Sequence, residues 1–293
     1  MPAKTDHPPT TRTSRFAWGA VVVILVGVTA LLVYTLTDTP TTLRVVNRAE
    51  TAPDVLRTLA SEPVSTFDAV GVTAPVTGLT PPTVVTGQPP MYSEEKPDVL
   101  FVGSEYCPFC AAERWPLVLA LSRFGTFGVL HDMESSTTSV FPGLQSFSFF
   151  DASYTSPYLT FTGVELYSDV AAANGVFTKI STLTPGQQAL VTRYQSGSQT
   201  GTRAQPAAGT YPLVDIDNVM VSTTSGFSPA MILQLSRATI IGDLKNGTTS
   251  DSRAIVASAN YLSAGICVAT HQNPSSVCTS KGVRAAAQAL SAG

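Results

Sequence analysis

Residues 98–115 read Asp98-Val-Leu-Phe-Val-Gly103-Ser-Glu-Tyr106-Cys107-Pro108-Phe109-Cys110-Ala-Ala-Glu-Arg-Trp115. The apolar run Asp98 to Gly103, bounded by Pro97 and Gly103, suits a buried strand. Ala111 to Phe124 then carries apolar residues at helical spacing and stops at Gly125. A Cys-x-x-Cys pair therefore lies between a strand and a helix.

That placement has a chemical consequence. A helix N-terminus offers unpaired N–H groups and a partial positive charge, and both favour a thiolate at Cys107. The thiolate is the attacking species in thiol–disulfide exchange. The two-residue spacing lets Cys110 close the disulfide, so Cys107 is expected as the exposed nucleophile and Cys110 as the buried resolving thiol. An inert structural disulfide is the competing reading. Zinc is disfavoured: a four-cysteine site pairs two short knuckles, whereas Cys267 and Cys278 lie too far apart, and His7, His131 and His271 form no ligand pattern. No metal, nucleotide or flavin cofactor is expected.

The neighbours tune the pair. Pro108 and Phe109 fill the positions between the cysteines, and Phe109 cannot stabilise a thiolate by charge as a histidine would. Tyr106 can form an apolar lip beside the sulfur. Glu105 and Glu113 could accept a proton from Cys110, or be solvated surface charges. Arg114 could pair with Glu113 or another carboxylate, or lie at the surface. Tyr211-Pro212 begins an expected strand, Leu213–Ile216. A proline there is usually an edge or turn device. In a thioredoxin fold it would be a cis-proline whose preceding backbone faces the disulfide and pairs with an extended substrate.

The rest of the chain sets the compartment. It has 293 residues, 44% hydrophobic and 13% charged, with a net charge of −3, and no basic run suits nucleic acid. Ala17 to Leu36 is uncharged and, as a helix, would span roughly 30 Å, about the hydrocarbon thickness of a bilayer. Thr37-Asp38-Thr39-Pro40 after it offers no Ala-x-Ala-like cleavage site, so an uncleaved anchor is favoured over a signal peptide. Lys4, Arg12 and Arg15 precede the run, which puts the N-terminus in the cytoplasm. The expected organisation is a cytoplasmic tail (1–16), a single-pass transmembrane anchor (17–36), a stalk (37–52) and an extracytoplasmic domain (53–293). A helical insertion is expected near 168–209.

Further elements follow from local signals. A helix is expected from Asp54 to Ala60, and a Pro-rich connector over 73–97 with a short strand at Thr83–Thr86. Strands are expected at Thr126–Leu130 and Ser146–Phe150. Thr184-Pro185 opens a helix to Tyr194. Leu213–Ile216 and Val219–Ser222 join tightly through Asp217-Asn218. One helix is read from Ser228-Pro229 through Leu244, another over Ser250–Val268, and a last one over Lys281–Leu290. Strands alternating with helices indicate an α/β protein. Cys267 and Cys278 are expected to clip a Pro274-containing loop as a structural disulfide, with two independent buried thiols as the alternative.

The segment Gly103–Gly125, with its Cys-Pro-Phe-Cys-Ala-Ala-Glu-Arg-Trp string, resembles an uncharacterised thioredoxin-like family found in archaea and actinobacteria. Ser153–Ser156, Tyr211–Ile216 and the stretch from Ala259 through Cys267 to Cys278 also match, so the resemblance covers roughly residues 55–280. It implies a thioredoxin fold with extra helices, the redox pair at Cys107 and Cys110, and the cis-proline role at Pro212. More distantly the arrangement is similar to the DsbA group. The chain departs from that group at Phe109, and from ordinary thioredoxins in having Phe101 and Val102 where a buried acid would lie. The implied activity is thiol–disulfide exchange with exported proteins, with a membrane-embedded partner restoring the redox state. The competing reading is a non-enzymatic interaction or chaperone-like subunit of an envelope complex. A peroxide-reducing enzyme is weaker still, because no threonine/arginine constellation accompanies the cysteine.

Overall fold

The apolar run is strand β3 (Lys96–Gly103), and the elements that position the motif are arranged around it. A computed structural model of the protein describes residues 48–72, 78–195 and 212–292. The expected tail, the anchor and most of the stalk (37–47) lie outside those residues. Among the described residues no helix is long and apolar enough to cross a membrane.

Strand β3 pairs in parallel with β6 (Thr160–Glu165), from Asp98↔Thr160 to Gly103↔Glu165. On its other side it pairs antiparallel with β9 (Leu213–Ile216). β9 turns into β10 (Met220–Ser222), and β1 (Thr83–Val84) continues that edge. β2 (Tyr92–Ser93) folds back on the start of β3. The result is a mixed sheet in an α/β protein. Asp217 and Asn218 take φ of 49° and 54° in a turn that Val219 N–H closes on Ile216 O at 2.8 Å, and with Val219 they span the gap between the paired Ile216 and Met220.

Side chains alternate across β3. Val99 and Phe101 enter the main core with α3 (Pro108–Ser122) and α6 (Ser250–Ala269). Leu100 and Val102 join a second cluster with Val191 and Tyr194 of α4 (Pro185–Gln195). Burial on both faces explains why the run is apolar throughout rather than alternating. Thr184 caps α4 reciprocally: its Oγ1 accepts from Gln187 N–H (3.3 Å), and Gln187 Oε1 accepts from Thr184 N–H (2.9 Å).

A two-stranded ribbon, β4 (Thr126–Glu134) and β5 (Gln145–Thr155), packs on α3 through Trp115. The indole N–H donates to Gln145 O at 3.0 Å and the ring meets Phe147 edge-on at 4.7 Å. Near the N-terminus of the described chain lie α1 (Pro53–Ala60) and α2 (Val64–Val70). Asn260 of α6 satisfies the end of α2 by donating to the carbonyls of Phe67 (2.9 Å) and Gly71 (3.1 Å).

Two expectations need correction, and one strand was not anticipated. The segment read as a helical insertion near 168–209 opens instead with a hairpin, β7 (Tyr167–Ala171) and β8 (Phe177–Lys179). Asn174-Gly175, with Gly175 at φ 79°, makes the turn, and Gly175 N–H closes it on Ala172 O at 2.8 Å. Helix α4 follows, and residues 196–211 lie outside the described set. Strand β6 had no counterpart in the sequence reading. The single helix from Ser228 is two elements: a 3-10 turn (Pro229–Ile232) and α5 (Arg237–Leu244). Gln234 at φ 64° breaks the run, and Ser236 Oγ caps the new helix by accepting from Thr239 N–H at 3.0 Å.

Cys267 and Cys278 form a disulfide that ties the end of α6 to α7 (Ser275–Cys278). The loop between them carries the cis bond Asn273–Pro274, and α8 (Lys281–Ser291) follows. Closing a loop of this size constrains the unfolded chain. The double variant Cys267→Ala/Cys278→Ala should lose about 2–3 kcal/mol of stability in urea unfolding, with the Cys107–Cys110 chemistry retained.

Candidate functional site

The chain leaves β3 at Gly103, turns through Ser104 to Tyr106, and enters α3. Cys107 is the N-cap of that helix, with extended backbone (φ −79°, ψ 122°), and Pro108 takes the first helical position. Cys107 N–H donates to Ser104 O at 3.1 Å, and Cys107 Sγ accepts from Cys110 N–H at 3.3 Å. The sulfur thus takes the place of a capping oxygen. Gly103 is required by close approach: a Cβ there would lie 2.5 Å from the Phe101 ring and 3.3 Å from Cys110 Sγ.

The two thiols are unequal, though not in the expected way. Cys107 is buried too, at 6% exposed against 0% for Cys110. The residues on either side of Cys107 are pinned into aromatic contacts. Tyr106 stacks on Phe177 at 4.2 Å, and Phe109, 36% exposed, meets Phe141 edge-on at 5.9 Å. Burial alone would raise the Cys107 thiol. Hydrogen bonds from the Cys110 thiol and backbone, with the Arg114 charge, hold it below its ordinary value instead. Burial pushes Cys110 well up, and its bond to Cys107 pushes the same way.

Arg114 is fully buried, not a surface residue, and its partner is Glu165 rather than Glu113. Its Nε and Nη2 reach the two Glu165 oxygens at 2.8 and 2.6 Å, and Nη2 also donates to Ser104 O at 3.1 Å. Glu165 lies opposite Gly103 on β6 and also accepts from Phe149 N–H at 3.2 Å. Burial alone would pull the Arg114 guanidinium down; Glu165 outweighs that and holds it protonated. A buried acid therefore lies beneath the motif after all, on the strand beside β3 rather than within it.

Glu105 and Glu113 are likewise buried, which removes the surface-charge alternative offered for each. Glu105 accepts from Nε and Nη2 of Arg48 and from the Ser148 hydroxyl, and Arg48 lies over the Phe150 ring at 4.8 Å. Arg48 belongs to the segment read only as stalk. Glu113 accepts from Gly226 N–H at 2.6 Å.

Pro212 is buried just before Leu213, which pairs with Val102 of β3, so it lies at the motif end of the sheet. Tyr211, and with it the 211–212 peptide bond, lies outside the described residues. The structure thus gathers Tyr106, Cys107, Pro108, Phe109, Cys110 and Pro212 at one end of the sheet, and places Cys267–Cys278 in a separate clip. Glu165 and Arg48 were missed. The spacing of Arg114 four residues after Cys110, on one helix face, was the available signal for a buried counter-charge.

Burial pushes the Glu113 carboxyl up to about 8, with the Gly226 N–H pulling the other way. Burial likewise raises Asp215 to about 7 and Asp217 to about 6. The folded state therefore holds more protons than the unfolded chain between roughly pH 4 and pH 8, and stability falls as pH rises through that window. Urea unfolding at pH 5, 6, 7 and 8 should show this decline, and Glu113→Gln should reduce its slope by up to about 1.4 kcal/mol per pH unit.

A family model described as a domain of unknown function (DUF929) matches residues 83–268. No curated protein and no solved structure matches the chain. The matched span runs from β1 almost to the end of α6 and contains the whole Cys107–Cys110 site; the chain belongs to the DUF929 family.

Proposed function

We propose that the chain is a membrane-anchored, extracytoplasmic thiol–disulfide oxidoreductase of thioredoxin-like fold, exchanging disulfides with exported proteins through Cys107 and Cys110. The observation that carries this reading is the asymmetry of the two thiols at the start of α3. One is held below its ordinary range by donors and a buried arginine, and the other is driven well above it. The fold assignment draws on β3 with a parallel neighbour on one side and an antiparallel one on the other, the Cys-x-x-Cys directly after it, and Pro212 leading β9. The anchor and the compartment rest on the uncharged run Ala17–Leu36 and the flanking cations.

Cys107 thiolate attacks one sulfur of a substrate disulfide, forming a mixed disulfide and releasing the other substrate sulfur as a thiolate. Cys110 gives its proton to the released substrate thiolate and attacks Cys107 Sγ. The Cys107–Cys110 disulfide forms and the second substrate thiol leaves, so two electrons pass from the dithiol to the substrate. Run backwards, the same steps oxidise a substrate dithiol. A membrane-embedded redox partner would reset the pair in either direction.

A second reading, a docking or chaperone-like subunit of an envelope complex, draws on the burial of Cys107. Trapping separates the two. Cys110→Ser should accumulate a mixed disulfide at Cys107 with a disulfide-containing peptide, seen by intact mass, and Cys107→Ser should accumulate none. Equal inertness of both variants and of the wild type would favour the docking subunit.

A further inference from the structure

Cys110 is fully buried, and burial pushes its thiol well up, yet it has to lose a proton to attack Cys107 Sγ. The carboxylates beside the motif are already engaged. Glu105 accepts from Arg48 and Ser148, and both oxygens of Glu165 accept from Arg114. Ser104 has a group to spare. Its side chain is fully buried and its Oγ makes no hydrogen bond. A dry hydroxyl without a partner lowers stability and calls for a reason.

The backbone of Ser104 is fixed against both cysteines. Its carbonyl accepts from Cys107 N–H and from Arg114 Nη2, each at 3.1 Å. Burial raises the Cys110 thiol, and the Ser104 N–H, bonded to that sulfur, pulls the other way. A Cβ on the preceding Gly103 would lie 3.3 Å from the same sulfur. Cys110 Sγ is therefore packed on the two residues that present the idle hydroxyl. The next hydroxyl along is that of Tyr106. Burial raises it, the Cys107 and Cys110 sulfurs add to the rise, and the Ser104 hydroxyl pulls it down. The Tyr106 ring is held by stacking on Phe177 at 4.2 Å and is partly exposed. Ser104 thus links a thiol closed off from water to a phenol that reaches it.

We propose that the Ser104 hydroxyl relays the Cys110 proton to the Tyr106 hydroxyl while the mixed disulfide is resolved. As Cys110 attacks, Ser104 Oγ accepts its proton and passes its own hydroxyl proton to Tyr106 Oη. Tyr106 passes its proton to the thiolate that the substrate has just released. The Cys107–Cys110 bond forms, the bond from Cys107 to the substrate breaks, and the second substrate sulfur leaves as a thiolate. The protein begins as one thiolate and one thiol, and the substrate ends as one thiol and one thiolate, so protons and electrons balance. A hydroxyl donates and accepts at once, which suits it to this transfer. Hydrogen bonds of this kind are commonly long at rest and tighten when the reacting groups arrive. The relay rests on the exchange reading, because it acts only in the second step of that reaction.

The test mixes reduced full-length protein in detergent with a disulfide-linked dimer of one cysteine peptide and quenches in acid for intact mass. Formation of the mixed disulfide and its decay are then read separately. Ser104→Ala and, separately, Tyr106→Phe, which keeps the ring on Phe177, should slow decay relative to formation by roughly 100-fold, the lower end of what a positioned proton transfer contributes. In both variants decay should become proportional to hydroxide concentration, whereas wild-type decay should not. Ser104→Ala should unfold at no lower urea concentration than the wild type, because it removes an unpartnered buried group. Decay as fast as the wild type in either variant, or formation slowed as much as decay, would overturn the relay and leave the exchange reading standing. A wild type that forms no mixed disulfide would sink the exchange reading and the relay with it.

Discussion

A guanidinium with no access to water has to be neutralised where it lies, and that constraint organises this molecule. Arg114 meets Glu165 with two hydrogen bonds and the carbonyl of Ser104 with a third. Those bonds tie α3 to β6 and to the turn leaving β3. Removing one partner of such a pair typically costs 3–5 kcal/mol, because the other charge is left stranded. The pair therefore fixes where the N-terminus of α3 points, and with it the positions of both sulfurs. Its positive end lies near enough to both cysteines to favour their thiolates. The hydrogen bonds of the helix terminus then separate them, favouring charge on Cys107 and leaving Cys110 protonated.

The segment around Cys107 is supported from several directions. Glu105, two residues upstream, is closed by Arg48 and Ser148. Tyr106 is sandwiched into the hairpin aromatics, and Phe109 into the loop after β4. The hairpin that replaces the expected start of a helical insertion supplies the aromatic wall against Tyr106, the residue before Cys107. At the opposite end of β3, Asp98, Asp215 and Asp217 gather around the β9–β10 turn, where Asp217 N–H donates to Asp98 O at 3.0 Å. Their burial makes the fold lose stability as pH rises towards neutrality.

The strand–Cys-x-x-Cys–helix unit was legible because its signals are local: an unbroken apolar run, a cysteine pair and a helical period. The hairpin at Asp217-Asn218, the cap at Thr184 and the Cys267–Cys278 clip were legible for the same reason. The electrostatics were not. Glu165 is brought to Arg114 by parallel pairing of β6 with β3, and no local pattern in Thr160–Glu165 announces that register. Arg48 and Glu105 meet across 57 positions of sequence. Glu105, Glu113 and Arg114 each kept a surface alternative in the sequence, because charged residues are exposed by default and only long-range packing makes these three interior. Asn174-Gly175 was a local hairpin signal, and a helical expectation for that region overrode it.

The central claim is that the packing around α3 makes Cys107 and Cys110 an unequal, exchangeable pair. The most direct measurement equilibrates the protein with glutathione buffers of graded potential and follows alkylation of Cys107 by mass spectrometry as a function of pH. The account predicts a reversible two-electron equilibrium within the range of those buffers. It also predicts Cys107 alkylation titrating below the free-thiol value of about 8.5, with Cys110 unreactive in the same range. A disulfide that stays oxidised under every mild reductant, or two thiols that titrate alike, would contradict it.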